Sequence, residues 1–124
     1  METKNKFSVH GRLKSFIYAF RGIACFFQTQ HNSWIQIATA VLVLLVGFLF
    51  DVAIYEWCLL VIAIRIVLIS EIINTSIEYL TNIVSPDYNK EAGKVKDLTA
   101  GAVLVSAIVA ALIGCFVFIP HFLK

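Results

Sequence analysis

Glu71-Ile72-Ile73-Asn74-Thr75-Ser76-Ile77-Glu78 closes an apolar run that begins near Tyr55, and it sets two carboxylates and a carboxamide at the end of that run. At about 100° per residue, Glu71 and Glu78 fall only about 20° apart around a helix, with Asn74 on the same side between them. The three make one polar stripe. If the helix crosses a bilayer, an ionisable side chain at its centre costs roughly 2.5–3.5 kcal/mol on insertion scales, so such groups face a protein interior or a wet cavity. Spacing alone leaves two readings open: a site that holds a cation or handles protons, and a pair of helix-end carboxylates solvated at the interface.

Around this stretch, a 124-residue chain that is 60% hydrophobic, with mean hydropathy +0.86, is too apolar for a soluble fold of its size. The expectation is an all-α membrane protein forming one domain over residues 1–124. Three apolar segments, residues 33–50, 55–80 and 98–119, are each long enough, or nearly so, for a core that needs about 20 helical residues. Their continuity argues against barrel strands, which alternate apolar and polar positions. The first 14 residues are basic and polar, without the apolar core and cleavage site of a removable signal peptide. Cys25, Cys58 and Cys115 are scattered and read as packing residues; His10, His31 and His121 are equally dispersed and form no metal triad by spacing. No nucleic-acid partner is expected.

Residues 8–30 read as an amphipathic helix lying in the headgroup plane, with Phe16, Phe20, Ile23 and Phe27 on one side and Lys14, Arg21 and Gln28 repeating at sevens opposite. Packing on a protein partner is the other reading of that pattern. Gly11 and Gly22 interrupt it, and His31-Asn32-Ser33 ends it before Trp34, an interfacial anchor, opens the first span. The link at residues 51–54 is short enough to make the first two spans an antiparallel hairpin, and it carries Asp51 and nearby Glu56 but no lysine or arginine. Lys4, Lys6, Arg12, Lys14 and Arg21 lie before the first span, and Lys90, Lys94 and Lys96 follow the second. By the positive-inside rule both segments are cytoplasmic, the N-terminus is inside and the C-terminus outside, with Lys124 alone against this. Glu71 and Glu78 then occupy the cytoplasmic half of the second span. Arg65, about six residues deeper and rotated about 120° from the stripe, is expected to pair with a carboxylate of another helix or subunit.

Ser85-Pro86-Asp87-Tyr88-Asn89 is a turn by composition, with Pro86 stopping the second span, and Lys90 to Asp97 reads as a charged loop in water or headgroups. Lysines beside glutamates fit a polyphosphate with a divalent ion between them; an ordinary positive-inside loop fits the same composition. Gly93-Lys94 is not a P-loop, because Tyr88 stands at the first glycine position and Val95 at the Ser/Thr position. In the third span Gly101, Ala102, Ser106, Ala107, Ala110, Ala111 and Gly114 recur at three- and four-residue spacing, which permits close helix approach. Three helices enclose little polar interior, so a site on the glutamate stripe is more plausible in an oligomer.

The block Glu71-x-x-Asn74-Thr75-Ser76-x-Glu78, the turn Ser85-Pro-Asp-Tyr-Asn, and Gly93-Lys-Val-Lys96-Asp97-Leu-Thr-Ala-Gly101 resemble the small prokaryotic diacylglycerol kinase and undecaprenol kinase family, over nearly the whole chain. The resemblance implies a homotrimer of the bacterial inner membrane that transfers the γ-phosphate of ATP to a lipid alcohol, with Mg2+, at sites shared between subunits. It implies Glu71 as general base, Asn74 as its support, and Glu78 as a magnesium ligand. Lys96 and Asp97 match nucleotide contacts, and Tyr18 with Asp87, Tyr88 and Asn89 match further parts of the ATP pocket.

Two positions depart from the family pattern. Gln30 stands where a second metal-binding glutamate is usual, and Asn82 where an aspartate is expected. An amide oxygen still coordinates magnesium but brings less charge. These departures motivate the alternative of a catalytically weak or silent relative serving as a membrane scaffold or regulator; a small transporter or proton channel is a third reading of two intramembrane glutamates. Diacylglycerol and undecaprenol are both apolar with one terminal hydroxyl and the sequence does not separate them; undecaprenol is the expected acceptor of the two.

Overall fold

The computed structural model describes residues 7–124, so the expected cationic positions Lys4 and Lys6 lie outside the described residues. Among the described residues there are four helices: α1 (Val9–Thr29), α2 (Asn32–Leu49), α3 (Ile54–Val84) and α4 (Lys90–Phe122). By length and apolarity α2, α3 and α4 are each able to cross a membrane. With 31 residues, α3 rises about 46 Å at 1.5 Å per residue, against a hydrocarbon core of about 30 Å. The helix therefore has length to spare beyond the acyl chains. The chain divides into two compact units, Met1–Trp34 and Ile35–Lys124.

In the first unit, the Ser8 hydroxyl oxygen accepts the Gly11 N–H at 3.3 Å and starts α1. The expected interruptions at Gly11 and Gly22 do not occur, because a glycine inside a helix costs only about 1 kcal/mol and the surrounding hydrogen bonds continue. Phe26 is the buried residue of this helix, meeting the Phe27 ring edge-on, while Phe16, Phe20 and Ile23 are exposed. The break between α1 and α2 is tight: the Gln30 carbonyl accepts the Ser33 N–H at 3.1 Å, and the Trp34 indole N–H donates to the Phe27 carbonyl at 3.1 Å.

In the second unit, α2 turns into α3 through a left-handed residue. Asp51 has φ 51°, its N–H donates to the Phe48 carbonyl, and the Val52 N–H donates to the Gly47 carbonyl. This paired 5→2 and 6→1 arrangement is the Schellman helix end, in which aspartate tolerates the αL conformation and Val52 tucks into the core as the apolar closer. Val52, Leu60 and Val117 form that core, with Val43, Trp57 and Ile113 among the side chains packed on it. It lies at the end of the unit away from Glu71. Nearby, a Cβ on Gly47 would stand 2.8 Å from Trp57 Cη2, so glycine is what lets the indole lie against α2. Within the chain, Gly101 and Gly114 of the third span have no atom within 4 Å of a Cβ position.

Helix α3 stops at Val84, two residues before Pro86, as proline's restriction of its predecessor requires. The expected charged loop over residues 90–97 is instead the first two turns of α4. Asn89 explains the difference: its side-chain oxygen accepts the N–H groups of Glu91 at 2.8 Å and Ala92 at 3.4 Å, satisfying two of the donors that a helix start leaves open. Glu91 in the first turn adds a favourable charge at the positive helix end. α3 and α4 then run antiparallel along their length, from Asn82 beside Lys96 to Glu56 beside His121.

Most apolar side chains face outward: only 11%, 17% and 6% of the most apolar windows of α2, α3 and α4 are buried within the chain. Such surfaces need lipid or protein to cover them. Cys25 on α1, Cys58 on α3 and Cys115 on α4 are exposed within the chain rather than packed inside.

Candidate functional site

Glu71, Asn74 and Glu78 project from the second half of α3, and all three are half-buried. One helical turn carries about 5.4 Å, so the stripe extends about 10 Å from Glu71 to Glu78. Beneath them Thr75 is buried within the unit. Glu71 Oε1 accepts the side-chain N–H of Gln36, on α2, at 2.8 Å. Gln36 is not among the expected site residues; its signal in the sequence is a carboxamide placed inside an apolar span, where an amide needs a polar partner.

Two acceptors at this level, Gln36 Oε1 and Asn74 Oδ1, are buried with no hydrogen-bond donor among the described residues. An orphaned buried acceptor costs about 1–3 kcal/mol, so each favours a donor or cation carried in by a bound molecule. Gln36 and Thr39 also form the polar end of a groove of about 380 Å³, whose other walls are apolar, including Val67, Ala107, Gly114 and Phe118.

At the outer end of the stripe, the Lys96 ammonium donates to the Asn82 side-chain oxygen at 2.8 Å. Asn82 is one turn past Glu78 on nearly the same face, so the bond brings a cation from α4 next to the acidic stripe of α3. Asn82 therefore holds the lysine by a neutral oxygen and leaves its charge uncancelled. Lys94 instead pairs with Glu91 at 3.1 Å on an exposed surface, where such pairs contribute little.

The remaining expected site residues are distributed as follows. Asp97 is exposed on α4, one residue past Lys96, and Asp87 and Tyr88 are exposed in the turn, where the Ser85 hydroxyl donates to the Asp87 carbonyl at 3.1 Å. Asn89 uses its side-chain oxygen to cap α4. Tyr18 and Gln30 belong to the first unit: the Tyr18 ring lies 5.7 Å from the Arg21 guanidinium, and Gln30 caps the end of α1. Arg65 is exposed on α3 and makes no ion pair among the described residues.

A second polar contact sits at the opposite end of the unit. His121 Nε2 and Glu56 Oε2 are 2.8 Å apart, each side chain only 12% exposed, and the Phe50 ring stacks on the imidazole at 5.8 Å. It joins the last turn of α4 to the first turn of α3, far along the helices from Glu71.

The sequence profile of the Prokaryotic diacylglycerol kinase family matches residues 17–118. The undecaprenol kinase of Bacillus subtilis is 36% identical over 107 residues, which span 86% of this chain and 87% of that protein. The diacylglycerol kinase of Synechocystis is 34% identical over 90% of this chain and 65% of its own length, and that of Escherichia coli 26% identical over 89% and 90%.

Proposed function

Because the chain belongs to the prokaryotic diacylglycerol kinase family and is a lipid kinase, we propose that it transfers the γ-phosphoryl group of ATP to the hydroxyl of a membrane lipid alcohol, undecaprenol in preference to diacylglycerol. The observation that carries this reading is the alignment of Glu71, Asn74 and Glu78 along α3 with Lys96 tethered beside them through Asn82. The preference for undecaprenol draws support from the Bacillus subtilis relative, which matches over most of both chains.

In this reading Glu71 accepts the proton of the lipid hydroxyl as its oxygen attacks the γ-phosphorus; the bond from that phosphorus to the β-γ bridging oxygen breaks, and ADP leaves. Asn74 lies one turn from Glu71 and offers a carbonyl oxygen. Lys96 offsets negative charge on the phosphates, with Asp97, Asp87, Tyr88, Asn89 and Tyr18 contributing to the nucleotide pocket. On α3 the Glu78 carboxylate and Asn74 Oδ1, an orphaned oxygen one turn away, would hold a magnesium ion, a hard cation that takes oxygen ligands. When bound with the nucleotide it neutralises phosphate charge.

The same reading makes residues 1–124 a single lipid kinase domain in the bacterial cytoplasmic membrane, with α1 on the headgroup plane and the N-terminus cytoplasmic. Arg12, Lys14, Arg21, Lys90, Lys94 and Lys96 support that orientation. The extensive outward apolar faces support assembly, as a homotrimer with sites shared between subunits.

The deciding experiment is an acceptor panel: purified protein in mixed micelles, labelled ATP and Mg2+, with undecaprenol and diacylglycerol at matched mole fraction. Magnesium-dependent transfer to undecaprenol at the higher kcat/KM is expected. Equal or better transfer to diacylglycerol removes the preference, and no transfer to any lipid alcohol leaves a silent scaffold.

A further inference from the structure

Between α2 and the acidic stripe runs a hydrogen bond from a neutral amide to a carboxylate. Its chemistry fixes its orientation. A carboxylate oxygen only accepts, so the group 2.8 Å from Glu71 Oε1 is the Gln36 N–H and not the amide oxygen. That places Gln36 Oε1 on the other side of the amide, buried and without a donor among the described residues. The amide thus accepts the cost of an unsatisfied oxygen in order to keep its N–H on Glu71, an arrangement that a purely packing role does not explain.

A glutamate side chain has three rotatable bonds, and a general base acts only when its oxygen lies within hydrogen-bond reach of the proton it takes. A donor from a different helix restricts those rotations, and Gln36, which gives it, lines the polar end of the groove. A neutral donor also does so without setting a second carboxylate against the first.

We propose that Gln36 is a positioning residue for Glu71: its amide N–H holds the carboxylate in the orientation that receives the acceptor hydroxyl. The proposal rests on Glu71 being the base. It predicts that Gln36 acts on the chemical step and not on nucleotide capture, since it touches the carboxylate and has no contact with Lys96 or Asn82.

The test uses full-length protein in mixed micelles with undecaprenol and ATP. Gln36→Met keeps the length and bulk of the side chain but removes the donor; Gln36→Asn keeps the amide but shortens it by one methylene, out of reach. Both variants are expected to lose roughly tenfold or more in kcat, the scale of one misplaced catalytic group, while the KM for ATP and the thermal unfolding midpoint stay at the parent values. Wild-type kcat in Gln36→Met overturns the proposal, as does a loss of kcat that is matched by a lowered unfolding midpoint or a raised KM for ATP. Glu71→Gln is assayed in parallel. If it is inactive while Gln36→Met is fully active, only the positioning role fails; if Glu71→Gln is active, the base assignment fails and this inference with it.

Discussion

Lys96 and Asn82 meet through a 2.8 Å hydrogen bond that ties the start of α4 to the end of α3. The bond decides where a cation stands relative to Glu78, and an amide oxygen secures it without forming an ion pair. Lys96→Met is expected to raise the KM for ATP and lower kcat by at least about 100-fold together, as removal of a charge-stabilising group does. Asn82→Leu leaves the lysine present but unheld, so a rise of roughly three- to tenfold in KM for ATP is expected, within the value of one charged hydrogen bond. Steady-state kinetics with varied ATP check both; unchanged KM in Asn82→Leu contradicts the tether.

Glu71→Gln keeps shape and can still meet a neighbour by hydrogen bonding, but it cannot take a proton. Loss of a general base lowers rates by about 10²–10⁴-fold, and the loss is expected in kcat with binding of ATP nearly unchanged. Single-turnover phosphorylation measured beside nucleotide binding separates the two.

Gly47→Ala places a methyl group 2.8 Å from Trp57 Cη2. The indole lies against α2, with its centroid 4.8 Å from that of the Phe48 ring on the same helix. Overpacking of this kind costs about 1–3 kcal/mol. Unfolding in mixed micelles is expected to show that loss, and adding Trp57→Leu to recover part of it.

Glu56 and His121 close the other end of the α3–α4 pair at 2.8 Å, with Phe50 stacked on the imidazole. Glu56→Gln and His121→Gln are each expected to destabilise the helix pair, and a double-mutant cycle to return a favourable coupling between the two positions. Activity per folded protein should not change, because the pair is distant from Glu71 along the helices. A coupling near zero would mean that the stacked Phe50, and not the polar contact, holds this end.

Much of the site was readable because it sits on one helix. Glu71, Asn74 and Glu78 share a face by periodicity alone, and Pro86 marks where that helix must end. The charged run after it has the composition of a loop and the backbone of a helix, because composition signals solvent exposure without specifying backbone; the N-cap Asn89 is the residue that marks the helix start. Asn82 looked like a loss of charge and is a hydrogen-bond partner.

The sequence by itself determined that three apolar helices traverse this chain and that their acids line up near one end, since length, hydropathy and a 3.6-residue period are local properties. Only the tertiary structure decided that Gln36 faces Glu71 across 35 positions, that Lys96 reaches back to Asn82, and that Gly47 admits Trp57. Those pairings depend on the left-handed corner at Asp51, the turn at Pro86 and the resulting helix register, and no single segment carries the register of its neighbour.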